Sequence, residues 1–438
     1  MPPERGGSLL DGDKQNIFAG KDVVMKQVSV TLSTYTADVS GVCSALYELG
    51  GMVVIHDPSG CNSTYNTHDE PRWYEMDSLI FISGLSQMDA IMGNDDKFIH
   101  DIVRAAKELQ PRFIALVRTP IPLMTGTDFE GISRVIEKQT GIPVFYFPTS
   151  GMHTYVKGAG MAMETIAREL VPAGRKSVKE RKNKQENPLK INILGATPLD
   201  FSINSTLDSI KEFLSRHFEI ISTFAMGSSI EDIQRAGEAD INLVISSVGV
   251  LAAKALEERF HTPYVIGTPI IGFENVLAEK LIESAWTKKS QTAYFSVLQK
   301  AHKKDTANFT TIQNTEAVSN LKKIRSLTET IEKNKVSGNV YIIGESVISQ
   351  SLKAALALRY GIEATVICPL ETEPEYTEKD VLLLSSEEDI KKAIMDADTV
   401  IADPIYKTIC SEKVNFVAMP HEAYSGRIYR KEVCDFIH

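Results

Sequence analysis

Met52-Val53-Val54-Ile55, then His56, then Asp57-Pro58-Ser59-Gly60-Cys61-Asn62-Ser63-Thr64-Tyr65-Asn66-Thr67-His68-Asp69: the reading of these residues decides the fold. The apolar run is short and β-branched, which suits a strand buried on both faces of a parallel sheet. Pro58, Ser59 and Gly60 force a sharp turn, so Cys61 falls in the loop just past the strand's C-terminal end. In open α/β sheets ligands bind there, because the loops diverge and leave a crevice. A cysteine so placed can act as metal ligand, nucleophile or redox thiol. The thiolate is the form that binds metal, and a helix starting near Asn62 would favour it through its dipole.

Outward from this stretch the same alternation repeats. Helix Ser40–Leu49 precedes the strand, with Cys43 inside it and Gly50-Gly51 as its stop. Strands follow at Ser78–Ile82, Phe113–Val117 and Val144–Phe147, separated by helices Lys97–Leu109 and Phe129–Gln139. A helix from Gly158 to Leu170 closes a first unit, residues 1–174. Residues 175–188 hold Lys, Arg, Glu, Asn and Gln with almost no apolar side chain, the composition of a solvated linker. A second unit, 189–335, opens with Leu189-Lys190-Ile191-Asn192-Ile193-Leu194-Gly195. A third, 336–438, opens with Asn339-Val340-Tyr341-Ile342-Ile343-Gly344. Strand–helix alternation in all three predicts an α/β protein of three Rossmann-like, doubly wound parallel-sheet domains.

Composition narrows the function. The chain has 438 residues, 43% hydrophobic and 24% charged, enough material for more than one core. A formal net charge of −10 argues against a nucleic-acid binder. No apolar run reaches the length of a membrane span, and residues 1–7 carry no export signal, so a cytoplasmic protein is expected. Five cysteines in so long a chain do not make a disulfide framework. There is no phosphate-binding G-x-x-x-x-G-K-[ST], no G-x-G-x-x-G after an opening strand, and no C-x-x-C, H-E-x-x-H or G-x-S-x-G. Nucleotide, zinc and serine-hydrolase readings therefore lack support.

Several segments carry a family resemblance. Gly41-Val42-Cys43-Ser44-Ala45-Leu46 followed by Val54-Ile55-His56-Asp57-Pro58-Ser59-Gly60-Cys61 is similar to a first helix and a histidine-glycine-x-x-glycine-cysteine loop. Ser83–Gly93, Ile114–Pro120 and Ser150–Thr165 resemble further motifs in the same order. Gly227–Ile233, Ile241–Ser246, Ala397–Ala402 and Met419-Pro420 extend the match across nearly the whole chain. The family is the nitrogenase component 1 superfamily, which includes the molybdenum–iron protein subunits, dark-operative protochlorophyllide reductase and nickel-sirohydrochlorin reductive cyclase. The resemblance implies three Rossmann-like domains around a central cleft. It also implies a second component-1 chain, like or unlike, and a P-loop iron–sulfur reductase as electron donor.

The departures bear on the chemistry. Of the three cysteines with which family subunits hold a bridging cluster, Cys61 alone stands at its position; Thr36 and Pro120 occupy the others. The family's cofactor cysteine corresponds to Ser246, and the cofactor histidine has no aligned counterpart, although His421 lies nearby. The resemblance therefore implies an iron–sulfur cluster, [4Fe-4S], shared between subunits through Cys61 and Cys43, without a molybdenum cofactor held in the usual manner and without dinitrogen reduction. Such a cluster takes four thiolates, and two chains facing across a two-fold axis would supply them. Cys43 reads equally as a small core residue. His68 and Asp69 are candidate proton donors in catalysis, or part of a solvated loop. Arg72, Trp73, His153, His421 and Arg427 are candidate substrate contacts, His153 alternatively a helix-start hydrogen-bonder and Arg427 a partner for a surface carboxylate. An assembly scaffold and a cluster-free small-molecule-binding protein are the competing functions.

Overall fold

The computed structural model describes residues 30–33, 35–62, 70–173, 188–301 and 325–437. Three parallel sheets follow one another along the chain. In the first, β1 (Met52–His56), β2 (Ile80–Ile82), β3 (Ile114–Arg118) and β4 (Val144–Phe147) pair in the order β2-β1-β3-β4. In the second, β5 (Leu189–Leu194), β6 (Phe218–Phe224), β7 (Ile241–Val244), β8 (Tyr264–Ile266) and β9 (Gln291–Thr292) run β6-β5-β7-β8-β9. In the third, β10 (Val340–Ile343), β11 (Ala364–Cys368), β12 (Leu382–Leu383), β13 (Thr399–Ala402) and β14 (Asn415–Ala418) run β12-β11-β10-β13-β14.

Strand order reverses between β1 and β3, between β5 and β7, and between β10 and β13. At each reversal the flanking connections leave on opposite faces and a crevice opens at the C-terminal strand ends.

Alternate residues of the first sheet serve two cores, as a period of two requires. Met52, Val54, Ile114 and Leu116 pack with Phe98, Ile102 and Ile136, from helices Asp95–Leu109 and Phe129–Thr140. Val53, Ile55, Ala115 and Val117 join a larger core continuous with the second and third sheets. Helix Tyr155–Thr165 pins the units together, packing on helix Asp38–Leu46 and on helix Val250–Phe260. The first contact needs glycine. A Cβ on Gly158 would lie 1.9 Å from the Asp38 carbonyl, and one on Gly41 would lie 2.3 Å from the Tyr155 carbonyl. The predicted linker, residues 175–188, lies outside the described residues except for Pro188.

Candidate functional site

The first reversal holds the predicted loop. The Cys61 amide donates to the Pro58 carbonyl at 3.1 Å, closing a turn, and Cys61 itself is exposed. Asp57 fixes that turn from below. Its buried carboxylate accepts the Thr119 hydroxyl at 2.9 Å and the Asn62 side-chain amide at 2.5 Å. Burial raises its pKa, and those two hydrogen bonds pull it partly back. The loop after β2 closes the other side, with the Leu85 amide on the Asp57 carbonyl at 2.9 Å. His56, at the end of β1, is stacked on Phe98 with ring centroids 3.9 Å apart. Burial lowers its pKa to about 4, so it is a neutral imidazole near pH 7, with Nδ1 on the Ser83 hydroxyl at 2.8 Å.

Two of the expected site residues are buried here. Cys43 is wholly buried in the main core, 0% exposed, and burial pushes its thiol pKa far up. Such a thiol is neutral near pH 7 and packs as a core residue. Arg72 is buried as well. Its buried guanidinium pairs with Glu70 at 2.6 Å and Glu48 at 2.8 Å, donates to the Ser44 carbonyl at 2.7 Å and lies over the Tyr47 ring. Burial works against its charge, but the two carboxylates raise its pKa well above the ordinary value. Arg72 thus anchors the chain returning from the Cys61 loop. Trp73, its neighbour, is 37% exposed.

His68 and Asp69 lie outside the described residues, as does any helix that begins after Asn62. Thr36 is used through its backbone, with its amide on the Ala423 carbonyl and its carbonyl accepting from Tyr155. Pro120 opens helix Pro120–Thr125. Arg427 is exposed in the turn Gly426–Glu432. His153 stands at the seam between the first and third units, 2.6 Å from Glu371. Among the described residues no three histidine, cysteine or acidic side chains are grouped as a metal site.

The second and third reversals meet in the interior, and their strand-end loops carry carboxylates. Asp200 accepts the Tyr155 hydroxyl at 2.5 Å, the Ser246 hydroxyl at 2.6 Å and the Thr197 hydroxyl at 3.3 Å. Glu345 follows β10 and caps helix Ser346–Tyr360, accepting from Val347 and Ile348 amides at 3.1 and 2.8 Å. It also takes the Ser247 amide at 3.0 Å and the Ser247 hydroxyl. Burial, then the charge of Asp200, raises its pKa. Asp403 follows β13 and accepts the His421 amide and the Ser425 hydroxyl, each at 2.7 Å. His421 is itself 9% exposed; its Nε2 lies 3.2 Å from Asp200, though not aligned as a hydrogen bond.

These carboxylates were not anticipated from the chain. The available signal was an acidic residue directly past an apolar strand, as in Ile343-Gly344-Glu345 and Ala402-Asp403. Strand order, which the sequence does not display, turns that signal into a position at a reversal. Ser246 is a buried hydroxyl committed to Asp200.

Comparison with known proteins sets this geometry in context. The family profile described as nitrogenase component 1 type oxidoreductase matches residues 40–403. The nitrogenase molybdenum–iron protein alpha chain of Methanothermobacter thermautotrophicus is 26% identical over 230 residues, 48% of this chain and 47% of the relative. The nitrogenase iron–molybdenum cofactor biosynthesis protein NifE of Klebsiella pneumoniae is 22% identical over 227 residues, 49% of this chain and 48% of the relative. One of the subunits of light-independent protochlorophyllide reductase from Nostoc punctiforme is 25% identical over 181 residues, 41% of this chain and 35% of the relative. The alignments thus span about half the length of these relatives or less. The solved structure titled nitrogenase Cp1 at pH 6.5 superposes with a TM-score of 0.57 at 14% identity, covering 92% of this chain and 86% of that one.

Proposed function

We propose, because this chain belongs to the family of nitrogenase component 1 type oxidoreductases, that it is the component of a reductase that receives electrons and passes them to a substrate other than dinitrogen. The observation that carries this reading is Cys61, exposed at the first strand-order reversal of a component-1 fold and held there by the Asp57 clamp. Electrons would come from a separate P-loop iron–sulfur reductase, since the chain has no nucleotide loop of its own. A cluster would supply low-potential electron transfer when bound.

The residues present fit that group only in part. Cys61 offers one thiolate, Cys43 is closed off in the core, and cluster irons are held by four protein ligands. The chain therefore contributes to a cluster shared with a second component-1 chain, which brings the remaining ligands. What this chain's own residues do is present the thiol and brace the turn before it through the Asp57 carboxylate. The committed Ser246 hydroxyl supports the absence of a molybdenum cofactor bound in the family's manner. The domain divisions at 174, 188 and 335, and a cytoplasmic site of action, belong to the same proposal. No helix among the described residues is long and apolar enough to cross a membrane.

The likeness to NifE favours one second reading, a scaffold that builds a metal centre and releases it. Anaerobic purification of the chain with its partner, then addition of the reductase with and without ATP, separates the two. ATP-dependent re-oxidation of the donor and bleaching of the chain's visible absorbance support the reductase. Transfer of iron to an acceptor protein without such turnover supports the scaffold.

A further inference from the structure

At the seam of the first and third units three side chains form a line that the reductase reading does not use. Lys157, half-buried in the first turn of helix Tyr155–Thr165, places its Nζ 2.8 Å from His153 Nε2. His153 Nδ1 lies 2.6 Å from one carboxylate oxygen of Glu371. The other Glu371 oxygen accepts the Thr154 amide at 3.3 Å and the Thr154 hydroxyl at 3.1 Å. An ammonium group has donors and no acceptor, so His153 Nε2 must be the accepting nitrogen. The proton of the neutral ring therefore sits on Nδ1 and points at Glu371. A base faces an amine, and a carboxylate that is itself held in place fixes the base's tautomer and orientation. That is the arrangement of an activated nucleophile.

We propose that Lys157 is an amine nucleophile for a small aldehyde or ketone, with His153 as its general base and Glu371 as the positioning carboxylate. The Lys157 ammonium gives a proton to His153 Nε2, and Glu371 stabilises the imidazolium that forms. The freed nitrogen lone pair attacks the carbonyl carbon as the carbonyl π bond breaks. His153 returns its proton to the new alkoxide, giving a carbinolamine. The carbinolamine nitrogen is still positively charged; transfer of one of its two protons through the same imidazole to the hydroxyl lets that group leave as water, and a protonated imine remains. No oxidant or reductant is consumed. His153 is 40% exposed at its side chain, so the line opens to solvent rather than ending in the core.

The site stands or falls independently of any cluster at Cys61. The test uses the full chain with propionaldehyde as probe and cyanoborohydride to trap imines, and peptide mass spectrometry to rank the labelling rate of every lysine. Lys157 is expected to label at least about tenfold faster than the median lysine. His153→Gln is expected to abolish that advantage, and Glu371→Gln to reduce it severalfold, with far-UV circular dichroism showing both variants folded. A wild-type Lys157 that labels at the median rate overturns the proposal without recourse to any variant. So does a folded His153→Gln protein that keeps the wild-type rate.

Discussion

The strand-order reversal of the first sheet and those of the second and third are built to the same topological plan and put to different uses. At the first, Asp57 is buried and Cys61, four residues on, stands in solvent. At the other two, Asp200, Glu345 and Asp403 are buried with the hydroxyl and amide groups that satisfy them. The carboxylate at the first reversal braces a surface turn, whereas Asp200 and Glu345 tie units to each other and Asp403 braces the third unit's own loop. One fold thus separates a crevice that presents a side chain from one that binds units to each other. The difference lies in whether a second unit packs over the strand ends.

The largest effect that can break this comparison is at Arg72. If the presenting loop depends on a buried ion-pair anchor, Arg72→Met leaves Glu70 and Glu48 without their cation. It should cost about 3–5 kcal/mol in denaturant unfolding. A loss below about 1 kcal/mol would mean that the Cys61 loop is not anchored there.

Acid should weaken the same region through His56. Its pKa is about 4 when folded and ordinarily about 6.5, so below pH 6.5 the unfolded chain takes up a proton that the folded one refuses. The contribution is complete above pH 6.5 and is lost as pH falls toward 4, roughly 3 kcal/mol in all. His56→Gln should remove that part of the slope in unfolding free energy measured between pH 7 and 4.5. Equal slopes in the two proteins would place the acid sensitivity elsewhere.

At the junction, Tyr155→Phe deletes the hydroxyl that joins the first unit to Asp200. A loss of about 1.5–3 kcal/mol is expected, because the acceptor is a buried carboxylate. A cost within error of zero would show that this hydroxyl does not help to hold the first unit to the second. The smallest effect is Asn62→Ala, which removes one arm of the Asp57 clamp. It should lower stability by about 1 kcal/mol or less. It should also raise the rate of Cys61 alkylation by iodoacetamide, as the turn loosens. Unchanged alkylation would mean that the turn holds itself without the clamp.

Much of the fold was legible because each buried strand is a compact apolar run with its own punctuation. Short elements escaped: helices Gln87–Met92 and Pro120–Thr125 are six residues each and bury too little to show a period. Cys61 was legible as an exposed strand-end thiol because Pro58-Ser59-Gly60 announces the turn. The pairing of Arg72 was not legible, because Glu48 and Ser44, which hold it, come before β1 in the chain, where local sequence gives no hint of it. Cys43 was open to two readings, and only the packing of helix Asp38–Leu46 against helix Tyr155–Thr165 chooses the core. The Asp200 and Glu345 sites join residues 45 to 98 positions apart, such as Tyr155 with Asp200 and Ser247 with Glu345. A single sequence shows the acids but not what meets them.

The central claim is that Cys61 is a ligand this chain brings to a shared iron–sulfur cluster. Iron and acid-labile sulfide in the anaerobically purified complex, wild type against Cys61→Ser, test it most directly. Both are expected in the wild type and should fall together in the folded variant. Iron and sulfide unchanged in Cys61→Ser, or absent from the wild-type complex, would contradict it.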